Sequence, residues 1–227
     1  MTAELPGGQM AHRPVHFFWL LDCSSSMSIN GKIGSLNFAV REAIPEMQRV
    51  AKDNASAQLM VRAIMFANGA QWHVQAPTPI EDFHWTDVAT SGITDLGAAL
   101  RLVAEELRTP PMPPRALKPV LALVSDGQPT DDWRSGLRAV DDTPWGRRAV
   151  RVAVAIGQDA DIAMLQEFLD NPELQPLQAN NPKQLADAIR WMSTVAVKAA
   201  SMPHGGRDTA VLPQPPTSVD DDADDVW

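Results

Sequence analysis

The stretch Val15-His16-Phe17-Phe18-Trp19-Leu20-Leu21-Asp22-Cys23-Ser24-Ser25-Ser26 runs almost unbroken in apolar character into an aspartate and then a hydroxyl-rich turn. Too continuous for a strand with one wet face, it reads as a central strand buried on both sides, the kind found in parallel sheets. Three more blocks share that character: residues 59–66 (LMVRAIMF), 119–126 (PVLALVSD) and 150–157 (VRVAVAIG). The segments between and after them carry helical spacing, at residues 36–51, 96–107, 131–140, 161–169 and 182–198. Strand and helix alternate, which implies an α/β fold: a doubly wound, Rossmann-like, mostly parallel sheet with right-handed crossovers and helices on both faces. The Asn68-Gly69 dipeptide signals a hairpin, so a shorter strand at residues 71–75 is expected to run antiparallel at an edge. A last short strand is expected near residues 174–178.

With 227 residues, 44% of them hydrophobic, the chain has the material for one well-buried core. The expected organisation is an N-terminal extension at residues 1–13, one domain at 14–202, and a disordered acidic tail at 203–227 that ends in DDDADDVW. Such a tail reads first as a solubiliser, although its aspartates are also carboxylates of the kind a cationic site attracts. Residues 109–119 contain five prolines and must form an extended loop leading into a core strand. A net charge of -9 repels nucleic-acid phosphates, so nucleic acid is not an expected partner. The single cysteine, Cys23, forms no intrachain disulfide, residues 1–10 have no basic or apolar leader pattern, and no apolar run approaches bilayer length. A cytoplasmic protein without membrane insertion is expected.

In open sheets of this class ligands sit beyond the carboxyl ends of the strands, at the point where the strand order reverses. Three features converge on that edge: Asp22-Cys23-Ser24-Ser25-Ser26 after the first core strand, Ser91-Gly92-Ile93-Thr94-Asp95-Leu96-Gly97 entering a helix, and Ser125-Asp126-Gly127-Gln128-Pro129-Thr130-Asp131 after the strand at 119–126. A serine-rich turn alone usually only caps a helix. Three such elements, in order and each beside a strand or helix end, make a mere capping role an insufficient account of them.

Together they resemble the metal-ion-dependent adhesion site (MIDAS) of von Willebrand factor A (VWA) domains: D-x-S-x-S after the first strand, a loop threonine, and an aspartate ending a later strand. The resemblance implies one divalent cation, Mg²⁺ or else Mn²⁺ or Ca²⁺, at Asp22, Ser24, Ser26, Thr94 and Asp126. It further implies that the three hydroxyls touch the metal, while the two carboxylates act largely through water or hydrogen bonds. Asp95, beside Thr94, is an alternative helix cap. The phrase S-D-G-Q-P-T-D-D-W-R-S-G-L and the runs around Asp22, Ala153 and Trp191 are similar to bacterial TerY-like VWA proteins, associated with tellurium resistance and stress response. That likeness covers residues 14–200 and implies an adaptor beside a Ser/Thr kinase and a PP2C-type phosphatase. A MoxR-type AAA+ ATPase is the alternative partner. The family pattern often has Gly where Ser25 stands; were φ positive there, a serine would be strained.

Other readings weigh less. Gly31-Lys32 lacks the remaining residues of a phosphate loop, having Ser26 and Ile33 at the required positions. Asp22 has Ser24 where an aspartate-dependent phosphatase carries its second acid. Cys23 reads as a small buried hydrophobe rather than a redox sensor. The five histidines show no metal spacing and read as surface or packing residues. Among seven tryptophans, Trp133 is the candidate exposed anchor, with Trp72, Trp85 and Trp145 expected in loops or at element ends. Asp131 and Asp132 read as starting a helix. The expected function is therefore a non-enzymatic, metal-dependent protein-binding module, with a partner's Asp or Glu completing the metal shell. Loops at residues 26–35, 83–94 and 128–134 would frame the contact. A metal-dependent hydrolase is the rival from another class, but it needs a base and finds only carboxylates already assigned to the metal.

Overall fold

The computed structural model describes residues 12–54 and 57–201. The order is β1 (Arg13–Asp22), α1 (Lys32–Lys52), β2 (Ala57–Ala67), β3 (Gly69–Pro79), α2 (Leu96–Glu106), β4 (Val120–Ser125), α3 (Trp133–Asp141), β5 (Val150–Ile156), α4 (Ile162–Leu169), β6 (Leu177–Ala179) and α5 (Pro182–Ser201). The six strands form one sheet in the order β3-β2-β1-β4-β5-β6. All neighbouring pairs are parallel except β2–β3. This is the doubly wound α/β architecture expected from the alternation of apolar blocks and helical segments. The expected tail at 203–227 and most of the expected extension at 1–13 lie outside the described residues, although β1 already begins at Arg13.

The continuous apolar runs are explained by burial on both faces. Along β1, Val15, Phe17, Trp19 and Leu21 join a core shared with α1 and α5, while Phe18 and Leu20 point to the opposite core, shared with α2, α3 and α4. β4 divides in the same way, with Val120, Ala122 and Val124 on the first side and Leu121 and Leu123 on the second. Each large side chain withdrawn from water in this way contributes about 1.5–3 kcal/mol. The hairpin forms as expected, with Gly69 at φ +74 beside Asn68. Its second strand reaches Pro79, beyond the expected 71–75, because register shifts between Val61 and Ile64 let β3 bend with the twisted edge. The strand also starts earlier, at Gly69, so Trp72 lies inside β3 rather than at its end.

Strands β2 and β3 lie to one side of β1, and β4 to β6 to the other. The reversal therefore falls between β1 and β4, whose carboxyl ends stand side by side with Leu21 paired to Val124. Among the described residues, no helix is long and apolar enough to cross a membrane.

Within the apolar run of β1, one residue breaks the pattern. His16 on β1 is 6% exposed, and neither ring nitrogen has a hydrogen-bond partner. Burial, reinforced by the nearby Arg62 guanidinium, lowers its pKa from 6.5 to about 4. Arg62 itself is held by Glu106 at 2.6 Å and lies 5.5 Å from the ring centres of Phe18 and Trp72. Because the folded chain keeps His16 neutral while the unfolded chain protonates it near pH 6.5, its contribution is intact above that pH and is lost as pH falls towards 4. Wild type should lose about 2–3 kcal/mol more stability than His16→Phe between pH 7 and pH 4 in urea unfolding. Parallel pH profiles for the two proteins would refute this assignment.

Candidate metal centre

The site begins where β1 runs out. Asp22 is fully buried, and its carboxylate accepts the Ser24 backbone N–H at 2.9 Å and the Ser125 hydroxyl at 2.6 Å. Burial raises its pKa above the ordinary carboxylate value, with the two serines and the neighbouring negative Asp126 as smaller influences. The chain then coils through a short 3-10 segment, Ser25–Gly31, which turns it from the sheet into α1. Ser24 and Ser26 are thereby brought together, their hydroxyl oxygens 2.9 Å apart. The Ser26 hydroxyl donates to Asp126 Oδ1 at 2.7 Å, and Lys32 Nζ donates to Asp126 Oδ2 at 2.8 Å.

Thr94 approaches from the loop before α2. Its backbone N–H donates to the Thr130 hydroxyl at 3.1 Å, and its carbonyl accepts the Thr130 N–H at 2.8 Å. Ser91 N–H donates to the Cys23 carbonyl at 2.7 Å, and both the N–H and the hydroxyl of Ser25 donate to the Gly92 carbonyl, at 3.0 and 2.7 Å. These bonds fasten the Thr94 loop to both neighbours. Between the loops stands Gly127: a Cβ there would lie 3.5 Å from Thr94 Oγ1 and 3.8 Å from Ser26 Oγ. The missing side chain leaves an opening flanked by two hydroxyls.

All five expected residues therefore meet at one edge, drawn from three loops. Their chemistry suits a hard divalent cation: three neutral hydroxyl oxygens and two carboxylates, both already engaged by hydrogen bonds. Among the described residues no group of three or more His, Cys, Asp or Glu is placed to hold a metal, so a softer, nitrogen- or sulfur-rich site has no counterpart there.

Several neighbouring residues differ from their sequence reading. Trp133 is only 8% exposed and packs in the core beneath α2, with the Arg134 guanidinium 4.5 Å from its ring centre, so it is no exposed anchor. The reason is that α3 presents its strongly apolar face inward from its first residue. Asp132 caps α3 by accepting the Ser135 N–H at 3.0 Å, but Asp131 serves a different helix: it accepts the Gly97 and Ala98 N–H groups of α2 at 2.8 and 2.9 Å. Asp95, the residue preceding α2, does not cap it; its carboxylate accepts from Gly69 N–H at 2.7 Å and the Thr130 hydroxyl at 3.0 Å. Ser25 carries no positive φ and hence no strain; the left-handed residues of this turn are Asn30 and Gly31. Cys23 is buried with Ala67 and Val88, and burial pushes its thiol pKa up to about 12, which leaves it unreactive at neutral pH.

The sequence reading rejects Gly31-Lys32 as a phosphate loop and includes Ser125 in the Asp126 phrase, but it assigns neither residue a role beside the carboxylates. The available signals are that Lys32 is the sole cation between Asp22 and Ser35 and that Ser125 directly precedes Asp126.

No family model and no curated protein matches the sequence. Solved structures do match the fold. A von Willebrand factor type A protein from Catenulispora acidiphila superposes with a TM-score of 0.58 at 18% identity, over 82% of this chain and 43% of that one. The ArnB paralog VWA2 from Sulfolobus acidocaldarius gives 0.55 at 18%, over 78% and 44%. Proximal thread matrix protein 1 from the mussel byssus, in a structure with a zinc-occupied MIDAS motif, gives 0.61 at 16%, over 82% and 48%. The fold is thus that of VWA domains, and the chain spans less than half the length of these neighbours.

The capping exchange between loops is open to measurement. Asp131→Ala should destabilise the protein by about 1–2 kcal/mol in urea unfolding, through unsatisfied N–H groups at the start of α2. The loss should at least equal that of Asp132→Ala, which removes a single capping bond. A negligible cost for Asp131→Ala would contradict this role.

Proposed function

We propose that this chain is a metal-ion-dependent protein-binding module in which Asp22, Ser24, Ser26, Thr94 and Asp126 hold one divalent cation. The observation that carries this reading is the convergence of three hydroxyls and two hydrogen-bonded carboxylates on the switch point of the sheet. A structural neighbour of the same fold with zinc in its MIDAS motif supports it. The donors suit Mg²⁺, and also Mn²⁺ or Ca²⁺. Bound there, the cation supplies an incompletely coordinated positive centre for a carboxylate from an Asp or Glu of the partner. Asp22 fixes the Ser24 turn through the Ser24 N–H, Asp126 fixes Ser26, and the Gly92 carbonyl ties Ser25 to the Thr94 loop, so the hydroxyls are set before any ligand arrives. Such preorganisation favours recognition more than raw affinity.

In this reading the module spans residues 14–202 and is not an enzyme: its carboxylates are committed to neighbours and none is left to activate water. The finer role is that of an adaptor in an assembly with a Ser/Thr kinase and a PP2C-type phosphatase, with a MoxR-type AAA+ ATPase as the other candidate. It is supported by the resemblance of the Ser125–Leu137 phrase to TerY-like proteins.

Calorimetric titration with Mg²⁺ tests the site. Wild type should bind one ion, and Asp22→Asn and Asp126→Asn, which keep the size of each side chain, should abolish binding while unfolding cooperatively. Gly127→Ala should fold, because its methyl meets only ordinary contacts, yet bind more weakly with the opening between Thr94 and Ser26 filled. Unchanged binding in both asparagine variants would refute the proposal. A partner captured from lysate in Mg²⁺ should be released by EDTA.

A further inference from the structure

Lys32 opens α1, yet its side chain does not extend into water as a lysine at a helix start usually does. Its ammonium lies 2.8 Å from Asp126 Oδ2, in an ion pair whose side chains are only 9% and 0% exposed. Space for it is provided by Gly157, just past the end of β5, where a Cβ would stand 3.3 Å from Nζ and 3.5 Å from Cε. Gly157 also has φ +80, so its backbone passes the ammonium in a conformation that other residues rarely adopt. Three elements thus meet around one positive charge: the start of α1 and the ends of β4 and β5. Through Asp126 that charge connects to the hydroxyls, because Asp126 Oδ1 accepts from Ser26, which in turn contacts Ser24.

We propose that Lys32 is a resident cation of the metal site, which keeps Asp126 and Ser26 in their binding arrangement without a metal and at the same time weakens the affinity for one. This inference rests on the metal-binding reading above. Two physical effects follow from the same contact and act in opposite directions. A carboxylate sealed from water is costly to leave unpaired, so the ammonium stabilises the metal-free site. A second positive charge sharing Asp126 also repels an incoming dication, and does so strongly where water is excluded. The two carboxylates are balanced by one ammonium, so a dication leaves the loaded site positive, where without Lys32 it would be neutral. The excess charge is what a partner carboxylate neutralises.

The experiment compares the wild-type chain with Lys32→Met, which removes the charge and keeps the stem, and Lys32→Gln, which keeps a hydrogen-bond donor for Asp126. Mg²⁺ affinity is measured by calorimetry, and Tm in EDTA and in excess Mg²⁺. Both variants should bind Mg²⁺ roughly tenfold more tightly or better. Both should melt below wild type in EDTA, and both should gain more Tm from Mg²⁺ than wild type does. A merely structural lysine would instead lower stability and affinity together. Wild type that binds Mg²⁺, with variants that bind it no more tightly, overturns this inference and leaves the module reading standing. Binding by the variants but not by wild type supports the inference in its strongest form. Binding by none of the three removes the metal reading and this inference with it. Failure of both variants to fold even in excess Mg²⁺ also overturns it, since the metal should then stand in for the ammonium.

Discussion

Two carboxylates sit at the carboxyl edge of the sheet with almost no access to water, Asp22 at 0% and Asp126 at 3% exposure, and the surrounding loops are arranged to satisfy them. Burying a charge is tolerable only when it is paired or hydrogen-bonded, so each oxygen must find a partner from whatever the fold brings near. Asp22 finds the Ser24 amide and the Ser125 hydroxyl; Asp126 finds Ser26 and Lys32. These partners come from the turn after β1, the end of β4 and the start of α1. The demand of the two acids therefore fixes how the first helix leaves the first strand.

The far side of the site is held by different means. Thr94 and Thr130 exchange hydrogen bonds, Asp95 ties Thr130 to the β2–β3 hairpin, and Asp131 reaches across to the first N–H groups of α2. This exchange needs α2 and α3 in close approach, and the residues at their contact are Gly97 and Gly136. A Cβ on Gly136 would stand 2.7 Å from the Gly97 carbonyl oxygen, and one on Gly97 would stand 2.7 Å from the Asp131 carboxylate. The loops that carry the hydroxyls also carry exposed apolar side chains, Ile29 at 56% and Ile93 at 51%, in contrast to the buried Trp133. A hydrophilic centre is thus flanked by exposed apolar side chains at this edge.

A doubly wound sheet hosts many functions, so the functional reading depends on the site and not on the architecture. What distinguishes this edge is its donor set. Hydroxyls outnumber carboxylates there, and a lysine is paired with one of the acids.

Much of this was legible in the sequence. Continuous apolar blocks marked the buried strands, helical spacing marked the crossovers, and Asn68-Gly69 marked the antiparallel edge. The convergence of the three loop phrases that carry Asp22, Ser24, Ser26, Thr94 and Asp126 was legible too, because each follows a strand or precedes a helix. Other features were not, and they share a physical cause. Lys32 meets Asp126 across 94 positions of sequence, and Ser125 meets Asp22 across 103. Asp131 caps a helix that precedes it by 34 positions, while its neighbour Asp132 caps the helix it begins. Trp133 is buried because α3 lies against α2, and Ser25 is unstrained because Asn30 and Gly31 take up the left-handed turn. The sequence by itself determined the order, type and burial of the elements and the residues at their ends, since short-range periodicity and turn chemistry encode these. Only the tertiary structure decided which group answers which buried charge, because that depends on the strand order that sets β1 beside β4, and no local pattern carries the order.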